Sequence, residues 1–138
     1  MLTDIDDTLT TEGAITPDAL DALHRLQAAG LPVSAITGRP AGWSEAFALA
    51  WPVNAIVAEN GAVALWRGPT GQLQRGYLQD ATTRRTNFQR LQTVAAHILS
   101  ELPHARLAQD SAGRETDIAI DHSEHHHLPA EDIQRVAQ

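Results

Sequence analysis

Two acidic residues near the start of the chain, Asp4 and Asp6, are separated by a single residue. In an extended segment the side chains at positions i and i+2 lie on the same side, so these two carboxylates converge. Close carboxylates repel each other unless a proton or a cation lies between them. The two carboxylates therefore take different roles, one as a nucleophile and the other as a proton carrier, or together they bind a hard cation such as Mg²⁺. A polar turn with an Asx cap over residues 4–8 is the alternative.

The segments around this acidic pair predict alternating strands and helices. Residues 1–3 form the end of a strand, and a helix begins at Thr16-Pro17-Asp18, with a hydroxyl N-cap and proline in the first turn. Gly30 ends that helix. An apolar second strand follows over residues 31–36, and a second helix is expected from about residue 41 to 50. This order is typical of a parallel sheet with right-handed crossovers.

The loop after the second strand is the second candidate for binding chemistry. In open parallel sheets ligands bind beyond the carboxyl ends of the strands, where both the acidic pair and Thr37 fall. A hydroxyl beside the amides of a glycine turn, here Thr37 and Gly38, binds phosphate well, although an ordinary strand-to-helix cap has the same residues. Arg39 would steady the phosphate or pair with an acid such as Glu59, and we favour the first role.

Together these motifs resemble those of the haloacid dehalogenase superfamily of phosphohydrolases. The resemblance rests on Asp-x-Asp-x-Thr after a short strand, followed by a helix and a strand that ends in Thr-Gly-Arg. A third strand, residues 53–58, runs into Glu59-Asn60-Gly61-Ala62, which is similar to the branch with a type 2 cap. That branch includes sucrose-phosphate, mannosyl-phosphoglycerate and Cof-like phosphatases. The resemblance implies an α/β fold with a Rossmann-like parallel sheet, with residues 1–66 as a partial phosphatase core and residues 67–138 as part of an α+β cap.

The same resemblance implies a Mg²⁺-dependent phosphatase that hydrolyses a small phosphorylated metabolite, a sugar phosphate, through an aspartyl phosphate. Asp4 would be the nucleophile, and Asp6 would protonate the leaving alcohol and then activate water. Mg²⁺ would bind the Asp4 carboxylate and the Asp6 backbone carbonyl. The residues expected to bind phosphate are Asp7, Thr37, Gly38 and Arg39. The residues expected near the substrate are Asn60, which has pure turn chemistry as its alternative, Arg114 and His125.

The chain departs from the superfamily pattern in its basic residues and in its last acidic motif. The superfamily uses a lysine in a third motif and aspartates in a fourth, but this chain contains no lysine. In the type 2 branch both motifs follow the cap, so we interpret the chain as the N-terminal portion of a larger phosphatase or a shortened relative, slow or inactive alone. Asp117 and Asp121 have the spacing of the fourth motif. Their alternation with Ile118 and Ile120 instead predicts the exposed face of a cap strand.

The second half of the sequence predicts a hairpin and an α+β region. Residues 62–66 and 73–78 flank a Gly68-to-Gly71 turn. Asp80 is expected to cap a long helix over about residues 81–102. Two further strands are predicted at residues 105–108 and 116–120, with a final helix from Pro129 through Val136.

Four histidines and a glutamate between His122 and His127 have the chemistry to bind Zn²⁺ or Ni²⁺. Consecutive residues rarely point at one ion from regular structure, and the sequence shows no second ligand cluster. A solvated loop is therefore the favoured interpretation. A cap loop that reaches toward the substrate is a further alternative.

Composition limits the function classes. The 138 residues are 43% hydrophobic, contain no cysteine and carry a formal net charge of −7. This charge disfavours nucleic-acid binding, and no segment predicts membrane insertion or a signal peptide, so we expect a cytoplasmic protein with a small-molecule substrate. A homo-oligomer or a complementing chain is also compatible with the sequence. The competing classes are a non-catalytic binding or assembly module derived from a phosphatase and, more weakly because lysine is absent, a receiver-type phospho-acceptor domain.

Overall fold

A computed structural model describes residues 1–137. The chain forms two compact units, Met1–Gln79 and Asp80–Gln138. The seven strands are β1 (Leu2–Asp4), β2 (Thr10–Thr11), β3 (Ala14–Ile15), β4 (Ser34–Ile36), β5 (Ala55–Ala58), β6 (Val63–Arg67) and β7 (Leu73–Tyr77). The helices are α1 (Pro17–Ala28), α2 (Ala41–Ala50), α3 (Ala81–Glu101) and α4 (Ala130–Val136). None of the helices among these 137 residues is long and apolar enough to cross a lipid bilayer.

The first unit is built on a five-stranded mixed sheet in the order β1-β4-β5-β6-β7. The first three strands in this order are parallel, which confirms the predicted Rossmann-like arrangement of the N-terminal segments. The last two strands are antiparallel and form the predicted hairpin. In the register, Asp4 lies beside Ile36, and Ile36 lies beside Val57. The carboxyl ends of the three parallel strands therefore meet at one edge of the sheet.

Local signals in the sequence explain how α1 begins and ends. The Thr16 side chain accepts a hydrogen bond from the Ala19 N–H at 3.4 Å, and Pro17 occupies the first turn. Gly30 has a φ of 71°, which a residue without Cβ adopts without strain just after the last turn. Leu23 on this helix joins a core that includes Ile5 and Ile56. Burial alternates along the central strands, since Ala35, Ile56 and Ala58 are buried while their strand neighbours are only partly buried or exposed.

The second unit contains α3, α4 and an irregular segment between them. Asp80 caps α3 as predicted, accepting hydrogen bonds from the N–H groups of Thr82 and Thr83 at 2.9 and 3.0 Å. The prediction of two strands at residues 105–108 and 116–120 is wrong. Only an isolated antiparallel bridge between Leu107 and Ile120 joins these segments. A short two-stranded ribbon without a third strand is marginal in water, and no further strand pairs with either segment in the described part of the chain.

Candidate active site

The sheet edge brings the predicted phosphate loop next to the acidic segment. Thr37 follows β4 directly, and its N–H donates to the Val57 carbonyl on β5 at 2.9 Å. This bond fixes the first residue of the loop to the sheet, and Thr37 is only 2% exposed. Asp4 ends β1 at the same edge, as the parallel register requires. The sequence therefore placed Asp4 and Thr37 correctly at neighbouring strand ends.

Asp6 is the centre of a side-chain network that links the two loops. Its Oδ2 accepts a hydrogen bond from the Thr37 hydroxyl at 3.3 Å, and its Oδ1 accepts one from Arg39 Nε at 3.1 Å. The Arg39 N–H in turn donates to Thr37 Oγ1 at 3.0 Å. The Arg39 guanidinium also lies 5.7 Å from the centre of the Trp43 ring, within cation–π range. These contacts orient the Asp6 carboxylate while leaving it partly exposed to solvent.

The loop after β1 is a tight turn around one carbonyl group. The Ile5 carbonyl accepts hydrogen bonds from the N–H groups of Thr8, Leu9 and Thr10 and from the Thr10 hydroxyl. Asp7 adopts a φ of 55° within this turn and is exposed. No side-chain contact of Asp7 within the described residues tests its expected phosphate role, which remains a prediction.

Asp4 differs from Asp6 because its carboxylate is exposed and, among residues 1–137, has no hydrogen-bond or ion-pair partner. In the same part of the chain the Asp6 backbone carbonyl also accepts no hydrogen bond. Both are hard oxygen donors of the kind that Mg²⁺ prefers. No group of three or more His, Asp or Glu side chains in the described chain converges on a point. The Asp4 carboxylate and the Asp6 carbonyl are therefore two oxygen donors without a partner in this part of the chain.

The sequence suggested Glu59 only as a possible partner of Arg39, yet its side chain supports the Thr37–Arg39 loop. It is 2% exposed, and its Oε1 accepts a hydrogen bond from the Ala41 N–H at 3.0 Å, at the start of α2. Pro40, the N-cap of α2, makes no side-chain capping bond. The Glu59 N–H donates to the Arg39 carbonyl at 3.0 Å. A buried carboxylate from the next strand end thus caps the helix that carries the phosphate loop.

Asn60 contacts the same loop from the other side. Its N–H donates to the Thr37 carbonyl at 3.3 Å, and its Oδ1 lies 3.1 Å from where a Cβ on Gly38 would be. Its φ of 55° is a left-handed conformation that asparagine tolerates better than most residues. Turn chemistry and a position beside the candidate site are therefore both present at Asn60.

Arg114 and His125, the other predicted substrate residues, belong to the second unit. The Arg114 side chain is 9% exposed and forms ion pairs with Asp117 at 2.7 Å and with Asp110 at 3.4 Å. The prediction that Asp117 and Asp121 form an exposed strand face is wrong. Asp117 binds the buried guanidinium, and Asp121 is only 7% exposed. Local ion pairs and hydrogen bonds thus override the alternating pattern.

The segment His122–His127 is an irregular loop, as predicted, and it is organised around Asp121. The Asp121 carboxylate accepts hydrogen bonds from the N–H groups of Ser123, Glu124 and His125 at 3.2, 2.9 and 3.1 Å. Burial acts to raise the pKa of Asp121, but the backbone hydrogen bonds, from Glu124 first, outweigh burial and leave the pKa below its ordinary value. The ionised Asp121 carboxylate therefore holds the loop in place.

Comparison with known proteins was made by sequence and by structure. The family model described as haloacid dehalogenase-like hydrolase matches residues 1–99. No curated protein matches the sequence significantly.

Solved structures share the fold at low sequence identity. A Thermoplasma acidophilum protein superposes with a TM-score of 0.68 at 19% identity, over 98% of this chain and 53% of that one. A haloacid dehalogenase-like hydrolase from B. subtilis gives 0.50 at 21% identity, over 70% of this chain and 33% of that one. The ATP-bound IMP-nucleotidase of Plasmodium falciparum gives 0.58 at 9% identity, over 98% and 38%. The chain thus spans about half or less of each, and these matches confirm the predicted α/β fold class.

Proposed function

The chain belongs to the haloacid dehalogenase-like hydrolases, and from that premise we propose that it is a Mg²⁺-dependent phosphatase of a small phosphorylated metabolite. A sugar phosphate is the substrate class that the type 2 cap resemblance favours. The observation that carries the proposal is the contrast between the two acids. Asp4 is exposed and has no partner within residues 1–137, whereas Asp6 is oriented by Thr37 and Arg39. A nucleophile must be free to attack, and a proton carrier must be held in position.

In the proposed reaction an Asp4 carboxylate oxygen forms a bond to phosphorus as the bond from phosphorus to the ester oxygen breaks. Asp6, in its protonated form, gives its proton to the leaving alcohol. Water then attacks the aspartyl phosphate, and Asp6 accepts a proton from that water as inorganic phosphate is released and Asp4 is regenerated. Phosphoryl transfer depends mainly on in-line positioning and charge stabilisation, which is the work of the surrounding residues.

Thr37, Gly38 and Arg39 would hold the phosphoryl oxygens. The Thr37 hydroxyl already accepts a hydrogen bond from the Arg39 N–H, so its own proton points outward, toward Asp6 in this structure. The same proton can turn to a phosphoryl oxygen because a hydroxyl rotates freely about its C–O bond. The Arg39 guanidinium supplies positive charge in a chain without lysine. Mg²⁺ on the Asp4 carboxylate and the Asp6 carbonyl would add charge that stabilises the transferring group.

A second candidate function is a non-catalytic binding or assembly module. The observation in its favour is the composition, because no lysine is present to take the place of the superfamily's third-motif residue. Loss of one transition-state stabiliser costs a factor of about 10²–10³ in rate. This reading predicts that phosphorylated metabolites bind at the Thr37–Arg39 loop without measurable turnover.

The test is phosphate release from a panel of sugar phosphates, with Mg²⁺ and with a chelator. Asp4→Asn should lower the Mg²⁺-dependent rate by at least about a thousandfold. The matched control is Asp21→Asn, an exposed residue of α1 that pairs with Arg25, and its rate should equal that of the wild type. Unchanged turnover in Asp4→Asn would refute the nucleophile assignment. Binding of the sugar phosphates with no release above the Asp4→Asn background would favour the non-catalytic module.

A further inference from the structure

A cavity of about 350 Å³ lies within the second unit, between α3 and the irregular segment that follows it. Phe88, Leu107 and Ile118 form its apolar walls, and its polar groups include Gln92, Ser111 and Arg114. Small-molecule pockets are mostly apolar with a few placed polar groups, and this volume is near the lower end of their range. The space therefore suits a single small ring rather than a nucleotide or a peptide.

Two local features bring these groups together. Phe88 and Gln92 are four residues apart on α3, so their side chains lie on the same face of the helix. A 3-10 turn over Ser111–Gly113 places Ser111 and Arg114 three residues apart, where side chains of that turn type align. The cavity thus has one wall on a long regular helix and the other on a short turn held by backbone hydrogen bonds.

The charges around the cavity select an uncharged ligand. The Arg114 guanidinium is shared between Asp117 and Asp110. Burial acts to lower the pKa of Arg114, but the hydrogen bond and charge of Asp117, with those of Asp110, raise it above its ordinary value. An anionic ligand would therefore have to compete with these two carboxylates for Arg114. A cationic ligand would have to compete with Arg114 for the same carboxylates.

Two polar groups in the cavity remain available to a ligand. Ser111 Oγ is buried and has no hydrogen-bond partner among the described residues, which is an unfavourable state for a hydroxyl. Rotation about χ1 moves a serine hydroxyl among three staggered positions, so a ligand can supply the missing partner. The Gln92 amide is exposed and also has no partner within residues 1–137. An amide both donates and accepts hydrogen bonds.

We propose that this cavity binds an uncharged, hydroxyl-rich ring of monosaccharide or cyclitol size. Hydroxyl groups also donate and accept, so they match the Gln92 amide and the Ser111 hydroxyl. The apolar C–H face of such a ring would pack against Phe88. The proposal does not depend on the phosphatase assignment, because it requires neither Asp4 nor Mg²⁺.

The test is an NMR titration of the isotope-labelled full chain with D-glucose, D-mannose and myo-inositol, each without phosphate. We expect saturable shifts of the backbone amides of Gln92, Ser111 and Ala112 with at least one of the three. Gln92→Ala should weaken the affinity about three- to tenfold, the loss of one neutral hydrogen bond. Gln89→Ala is the matched control, since Gln89 is exposed on the same helix but does not line the cavity, and its affinity should equal that of the wild type.

Charged probes complete the test. Acetate and methylammonium should leave the same three amides unchanged, and stronger shifts with either ion than with the polyols would overturn the proposal. It would also be overturned if none of the three polyols gave a saturable shift, or if Gln92→Ala bound as well as the wild type. Any of these failures would leave the phosphatase proposal intact, because the comparison of Asp4→Asn with Asp21→Asn reads only the first unit.

Discussion

Glu59→Ala tests whether a buried carboxylate holds the phosphate loop and the start of α2 together. The substitution removes the acceptor of the Ala41 N–H, and Glu59 is only 2% exposed, so water cannot readily replace the lost bond. A hydrogen bond to a charged group contributes about 1.5–3 kcal/mol. Favourable interaction with the helix N-terminus adds about 0.3–1 kcal/mol. Removing a buried charge recovers part of this, so we expect a net loss of about 2–3 kcal/mol in the free energy of unfolding.

Backbone strain at residue 59 contributes little to this loss of stability. Glu59 has a φ of 49°, and alanine carries the same Cβ, so the cost of the left-handed conformation is similar in both proteins. Glu59→Gln keeps a neutral acceptor for the Ala41 N–H, loses the charge, and replaces the second carboxylate oxygen with an NH2 group. We therefore expect it to lose about 1 kcal/mol, which separates the role of the hydrogen bond from that of the charge.

Urea unfolding monitored by tryptophan fluorescence measures the free energy of unfolding of the first unit. All three tryptophans, Trp43, Trp51 and Trp66, lie in the first unit, so the signal reports on that unit alone. Glu12→Ala is the matched control, because Glu12 is exposed in the same unit and also has a positive φ, 52°, and we expect a change within about 0.5 kcal/mol. If Glu59→Ala were as stable as Glu12→Ala, the Glu59 carboxylate would not be supporting the loop.

Three other perturbations address the site loops and the histidine loop. Arg39→Ala should raise KM for the phosphorylated substrate and lower kcat/KM about tenfold or more in steady-state kinetics, because the phosphoryl group loses a cation and Asp6 loses the side chain that orients it. Gly38→Ala places a Cβ 3.1 Å from Asn60 Oδ1, so we expect a loss of about 1 kcal/mol or less in urea unfolding together with weaker phosphate binding. Because the pKa of Asp121 is lowered, its stabilising hydrogen bonds to the loop are fully present at pH values above the ordinary aspartate pKa. They are lost as the pH falls through the pKa of Asp121 in the folded protein. The NMR shifts of the Glu124 and His125 backbone amides would follow this transition.

Each of these expectations has a result that contradicts it. Kinetics unchanged in Arg39→Ala would show that the ion pair with Asp6 has no part in substrate binding. Tighter phosphate binding in Gly38→Ala would mean that the loop does not require the close approach of Asn60. For the histidine loop, Asp121→Asn should abolish the acid transition of the two amides, and a transition that persists in this variant would have another cause.

Elements with strong local signals could be predicted from the sequence. Helix α1 follows from Thr16, Pro17 and Gly30, and α3 follows from its Asp80 cap, because these signals act within one turn of the chain. The position of Asp4 beside Thr37 was also predictable, since parallel strands bring their carboxyl ends together whatever their exact length.

Two features were not predictable in the same way, namely the local partners that Asp117 and Asp121 take and the distant contact that Glu59 makes. The alternation from Asp117 to Asp121 indicates a strand with an exposed acidic face, but the buried Arg114 and the amides after Asp121 use these carboxylates instead. The role of Glu59 as a cap of α2 requires knowledge of which helix start lies next to the end of β5, and no local pattern contains it. Its only sequence signal is the lack of a capping side chain at Pro40.

The most direct test of the account is to locate the phosphoryl group on the protein. Asp6→Asn removes both the acid for the leaving alcohol and the base that activates water, so the substrate is p-nitrophenyl phosphate, whose leaving group needs no proton. The intermediate should then form with Mg²⁺ but hydrolyse slowly, and phosphorylated protein should accumulate. Acid quenching and peptide mass spectrometry should then find the added phosphoryl group on Asp4 and none in the double variant with Asp4→Asn. A phosphoryl group on another residue, or equal labelling after Asp4→Asn, would contradict the account.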